Sequence, residues 1–189
     1  MQTISINLYT FDELSDKAKQ KVLSDLSDIN VDYEWYNNEL DNQEDELIAI
    51  GYKDLDIQFS GFCSQGDGAS FTGSVDLHKL NKHLKLDLPG SLLDLFDEGE
   101  LQISIVRDTH QYYHERTVSV EISGNLPAQY DNTLADLQEK ITAHVRECSI
   151  DIYNNLEKQY ENLTSEEAII ETINANEYTF EADGKMRNE

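Results

Sequence analysis

Apolar residues recur at Leu134, Leu137, Ile141, Val145, Cys148, Ile152, Leu156, Tyr160 and Leu163, three or four positions apart and without a break. That spacing predicts one amphipathic helix over about 133–163, roughly 45 Å long at 1.5 Å per residue. A stripe of that length has to be covered by something. A coiled-coil partner would cover it, but one broad stripe suits a helix that faces its own core. The rest of the chain supplies a second layer.

Strand-like alternation appears in several places. Leu55, Ile57 and Phe59 alternate with Asp56, Gln58 and Ser60, and Phe71, Gly73 and Val75 repeat the pattern after a loop. Leu101, Ile103 and Ile105 form another such run, as do Val118, Val120 and Ile122, and Ile4 to Leu8 form a short first one. Period two marks half-buried strands. Shorter helical patterns flank them. One follows Ser15 or Asp16 and carries Ala18, Val22, Leu26 and Ile29. Another starts near Asp32, with Tyr33, Tyr36, Leu40 and Leu47 on one side, and stops at Gly51. Two more cover Leu77–Leu84 and Ser91–Phe96, separated by Pro89-Gly90, with His78 and His83 facing solvent. Thr164 and Glu167 read as a capping box opening a last helix from Ser165 to about Ala175, and a short strand with an Asp183-Gly184 turn follows. The expected fold is α+β: a mostly antiparallel sheet of four or five strands, the long helix (about 133–163) packed across it, and shorter helices around it. The chain reads as a single domain over 1–189, with about the last five residues disordered.

Two connections carry unusual chemistry. Residues 59–73 hold four of the nine glycines and three phenylalanines. A wide hairpin turn explains the glycines. A binding loop is the functional alternative, presenting Ser64, Gln65 and Asp67 with backbone N–H groups free to hold an anion. It lacks the Gly-Lys-Ser/Thr of a P-loop and the carboxylates of an EF-hand. The second connection, residues 108–115, brings His110, Tyr112, Tyr113 and His114 to a hairpin tip, where rings stack a base or bind a small ligand. A hydrolase built from Asp67, His110 and His114 requires the two tips to meet. Asp67 is also the one evident third ligand for a metal, and no metal or cofactor is expected.

The run FSGFCSQGDGASFTG resembles the motif of an uncharacterised family of phage and prophage proteins, some of whose members carry an antitoxin-like label. The opening YTFDELSDKAKQKV with its DYEW, and the closing LTSEEAIIETINANEYTFEADG, resemble the same family in the same order. The resemblance implies an origin in a virus or mobile element and a site of action in the host cytoplasm. It implies no particular reaction.

Charge narrows the function further. The formal net charge is −24. Direct binding to nucleic acid or to anionic lipid needs the opposite sign, so neither is expected as a partner. From Asp25 to Asp56 there are eleven carboxylates and one cation, Lys53. Asp28, Asp32, Glu34, Glu39, Asp41, Glu44, Asp45 and Glu46 are the candidate acidic surface, and Trp35 beside them is expected in the core. The partner this predicts is a host protein with a basic surface, such as a defence or toxin protein, blocked by nucleic-acid mimicry. The alternative is a small-ligand or nucleotide-binding protein that uses the loops at 60–70 and 108–115. Cys63 and Cys148 are expected to be reduced thiols. Neither a signal peptide nor a membrane-spanning stretch is evident, and the expected location is the cytoplasm.

Overall fold

A computed structural model describes residues 6–108 and 112–187. The chain gathers into two compact units, Asn37–Glu157 and a second made of Met1–Tyr36 with Lys158–Glu189.

The larger unit holds the sheet. Strands β1 (Tyr52–Phe59), β2 (Ala69–Val75), β3 (Leu101–Arg107) and β4 (Val118–Gly124) lie in the order β1-β2-β3-β4, and every neighbouring pair is antiparallel. The β1–β2 pairing runs from Tyr52↔Val75 to Phe59↔Ala69, with an irregularity between Lys53 and Asp56 where Asp54 takes a positive φ. The β3–β4 hairpin pairs Leu101↔Gly124 through Arg107↔Val118. Alternation sets the faces: Leu101, Ile103 and Ile105 are buried, and so are Val118 and Val120.

Helix α5 (Asp131–Leu163) runs unbroken for 33 residues. Leu137, Ile141, Val145, Ile152 and Leu156 are buried along it, each at a position of the apolar stripe. It packs on the sheet. Gln138 Nε2 donates to the Val120 carbonyl at 2.7 Å, and the His144 ring stacks on Tyr52 with centroids 5.8 Å apart. Each such fully buried aliphatic side chain contributes on the order of 1.5–3 kcal/mol. The fold is thus α+β, with a four-stranded antiparallel sheet, one long helix and several shorter ones. The Pro89-Gly90 break separates α3 (Leu77–Leu84) from α4 (Gly90–Asp97). Asp76 caps α3 by accepting from the Lys79 amide. Helix α2 (Asn37–Ile50) starts five residues later than its apolar spacing suggested. Tyr33 is 62% exposed and contributes nothing to a buried helix face.

The smaller unit has its own core of Phe11, Leu14, Ala18, Val22, Ile169, Ile173 and Phe180. Helix α1 (Asp16–Asp25) is capped by Ser15, whose hydroxyl accepts from the Ala18 amide, and α6 (Glu166–Ala175) is capped in the same way by Ser165. Thr164 is therefore not the cap of α6; its hydroxyl donates back to the Tyr160 carbonyl at 2.9 Å. Trp35 is half-buried, its ring 5.9 Å from that of Tyr160. Strands β5 (Thr179–Phe180) and β6 (Met186–Arg187) pair with each other. Of the expected first strand, Ile4 and Ser5 lie outside the described residues, Ile6 to Leu8 belong to no strand among the described residues, and Tyr9 forms a single bridge to Phe180.

Candidate functional site

The loop between β1 and β2 is wired from within. Asp67 Oδ2 accepts from the Cys63 amide at 3.0 Å and the Ser64 amide at 2.7 Å, while the Asp67 amide donates to the Ser64 carbonyl at 3.0 Å. The Cys63 and Ser64 amides are thus held by the loop's own carboxylate. Gly66 has φ +108°, a conformation that costs an L side chain heavily. Phe62 stacks on Phe59 at 5.9 Å and leans on Tyr153 of α5 at 5.5 Å, which fastens the loop to the long helix. Ser64 and Gln65 remain exposed at the tip.

The β1–β2 and β3–β4 tips do meet. A Cβ placed on Gly68 would sit 2.5 Å from His114 Cα, and one on Gly66 would touch the Tyr112 ring at 3.4 Å. Bare backbone makes the junction, so no larger residue fits at Gly68. His114 Nδ1 accepts from the Arg116 amide at 3.2 Å, which places the proton of the neutral ring on Nε2. Tyr112 is 46% exposed. Tyr113 covers Arg107, whose guanidinium lies 5.0 Å from the ring centroid. The Arg107 side chain is only 6% exposed. It donates from Nε to Ser70 Oγ and from Nη2 to the Ser70 carbonyl, both at 3.2 Å, and lies 3.7 Å from the Asp56 carboxylate. The junction therefore brings together Asp67, Tyr112, Tyr113 and His114 of the expected site. His110 lies outside the described residues. Among those residues no three His, Cys, Asp or Glu side chains are grouped to hold a metal ion.

A second cluster, not singled out in the sequence, lies under α5. The Tyr52 hydroxyl is 2.7 Å from His144 Nδ1. Burial, and then the neighbouring Cys148, pushes the Tyr52 phenol far up, so it stays protonated and donates. Burial, and then the His83 ring 5.4 Å away, holds His144 below its usual value against the pull of Glu147 and Asp151. Cys148 Sγ is 3.8 Å from the imidazole, its thiol pushed up to about 12 by burial and then by Asp151 and Glu147. A thiol at that value is a poor nucleophile. This trio packs helix on sheet; it does not present an activated group. The sequence carries a signal for His144 here and for Arg107 at the junction. His144 falls on the stripe between Ile141 and Val145, and Arg107 continues the inward phase of Leu101, Ile103 and Ile105.

The acidic residues form no single helical face. Asp28, Asp32 and Glu34 lie in turns after α1 and are exposed. On α2, Asp41, Asp45 and Glu46 are exposed, Glu44 is half-buried, and Glu39 accepts from Gln43 Nε2 at 2.9 Å. The helix contains no Lys or Arg. Asp41, Glu44, Asp45 and Glu46 have no cationic partner among the described residues.

Fold and surface together define an acidic α+β protein with a closed loop junction and an unneutralised helix. A family model described as Domain of unknown function (DUF8835) matches residues 35–166, and the chain belongs to that family. No curated protein and no solved structure matches the chain. No helix among the described residues is long and apolar enough to cross a membrane.

Proposed function

We propose that this chain is a binding protein that occupies the basic surface of another protein, as a phage- or mobile-element-encoded inhibitor of a host defence or toxin protein would. The observation that carries the reading is α2. Asp41 and Asp45 are i,i+4 neighbours of like charge, and such a pair destabilises a helix by about 0.2–0.5 kcal/mol. Asp41 and Glu44 repel at i,i+3, and no lysine or arginine on the helix relieves either contact. A basic surface laid against α2 removes that repulsion. The five carboxylates from Glu39 to Glu46 are spaced about one per 2.6 Å of helix axis at 1.5 Å rise per residue. Duplex nucleic acid carries one charge per ~1.7 Å, so α2 offers a groove shaped for nucleic acid a charge density within about twofold of its own ligand's.

The test is capture of a partner from host lysate on the tagged chain, with washes at low and high salt. The expected partner is a basic nucleic-acid-binding protein, released by salt, displaced by duplex DNA or RNA and bound more weakly by the charge-reversed Asp41→Lys/Asp45→Lys chain. An identified partner held equally well by that variant at low salt contradicts mimicry.

The meeting of the two hairpin tips favours a second reading, in which Tyr112 and His114 receive a small ring-bearing ligand such as a nucleotide. A nucleotide that raises the melting temperature of the chain, and fails to do so in Tyr112→Ala, supports it.

A further inference from the structure

On α2, Glu46, Leu47 and Ile50 share one face at i, i+1 and i+4; on α5, Cys148, Asp151 and Ile152 do the same at i, i+3 and i+4. These residues of the two helices line one cleft of about 150 Å³. Its floor is mostly apolar: Leu47 and Ile152 are buried, Ile50 and Cys148 are half-buried, and the one amide on it, buried Gln43, is bonded to Glu39. Its rim carries one carboxylate from each helix. Glu46 and Asp151 are both exposed, and neither has a cationic partner among the described residues. The Cys148 thiol on the floor is raised partly by Asp151 and Glu147, so the field inside the cleft is negative.

We propose that this cleft receives a single lysine or arginine side chain from the basic partner, stem on the apolar floor and charged head between Glu46 and Asp151. The inference rests on the binding reading above and gives it an anchor point. The size fits one side chain: ligand pockets for whole small molecules run to about 300–1,000 Å³. The two-part lining fits only a side chain that is apolar along its length and cationic at its tip, which is how lysine and arginine bury their stems and keep their heads wet. An acidic or purely apolar side chain would leave one of the two linings unmatched. An anchor in a pocket, ringed by weaker charge contacts, is also the usual layout of a protein interface.

The probe is a fluorescein-labelled eight-residue peptide of alternating arginine and glycine, followed by fluorescence anisotropy at low salt. Two variants of the full chain each remove two charges by isosteric substitution. Glu46→Gln/Asp151→Asn alters the cleft, and Glu98→Gln/Glu100→Gln alters two exposed carboxylates between α4 and β3. The expected result is that the cleft variant weakens binding at least tenfold while the control weakens it less than threefold, with both melting as the parent does. Equal weakening by the two variants overturns the cleft and leaves the general acidic surface standing. No binding of the peptide by the parent chain overturns the cleft together with the binding reading on which it rests.

Discussion

At the scale of single residues the junction of the two hairpin tips depends on what Gly68 lacks. A methyl group there would lie inside the van der Waals radius of the His114 backbone, and backbone cannot rotate away as a side-chain end can. Gly68→Ala is expected to destabilise the fold by roughly 1–3 kcal/mol, read from urea unfolding, whereas Gln65→Ala in the same loop stays within about 0.5 kcal/mol. Equal effects at the two positions would show that the tips do not touch. This contact could not be read from the sequence. Gly66-Asp67-Gly68 has sufficient local reason to be a turn, and nothing in the spacing reveals that the turn is pressed against residues 112–114. The bonds of Asp67 were illegible for a related reason. Nothing in the spacing reveals that its Oδ2 accepts from the amides of Cys63 and Ser64.

Secondary-structure elements were more legible where the pattern was long. The α5 stripe predicted a helix over about 133–163 that is observed as Asp131–Leu163, and the β3 and β4 alternation gave a real hairpin. Short patterns failed at their ends: Tyr33 and Tyr36 are correctly spaced for a helix that begins only at Asn37, and Ser165 displaces Thr164 as a cap by one residue. The polar contact under α5 has a pH signature. His144 titrates below its ordinary value of 6.5 in the fold. As pH falls through about 6.5, the unfolded chain gains a proton at this position that the fold does not, so stability falls with pH until the depressed folded value is reached. His83 repels that proton and Glu147 and Asp151 attract it, while Tyr52 and Cys148 stay neutral throughout. The urea midpoint is expected to drop between pH 7.5 and 5.5, and to drop less in His144→Gln, which keeps a hydrogen-bonding partner for Tyr52. An identical drop in both would place the pH dependence elsewhere.

For the molecule as a whole, the family match and the compact units agree. Residues 35–166 carry the family resemblance, and Asn37–Glu157 form the larger unit with the sheet, the loop junction and the cleft. A fragment of residues 35–166 is therefore expected to fold alone and to melt in one cooperative transition followed by circular dichroism. A broad, sloping melt would show that the flanking segments are required. Composition gave no hint of this division, because Pro and Gly do not cluster at Tyr36 or Glu157 and α5 runs through the second boundary without a break.

The smaller unit has a consequence for how the chain is made. Its core joins Phe11, Leu14, Ala18 and Val22 to Ile169, Ile173 and Phe180, and Tyr9 pairs with Phe180. On a ribosome adding about 5–20 residues per second, the first group waits roughly ten to thirty seconds for the second to be synthesised. During that interval α1 carries an uncovered apolar stripe while the segment that follows it can already collapse around its sheet. Until Ile169 to Phe180 emerge, the residues of α1 expose apolar surface of the kind a chaperone binds, and a message truncated before Ile169 leaves that surface uncovered.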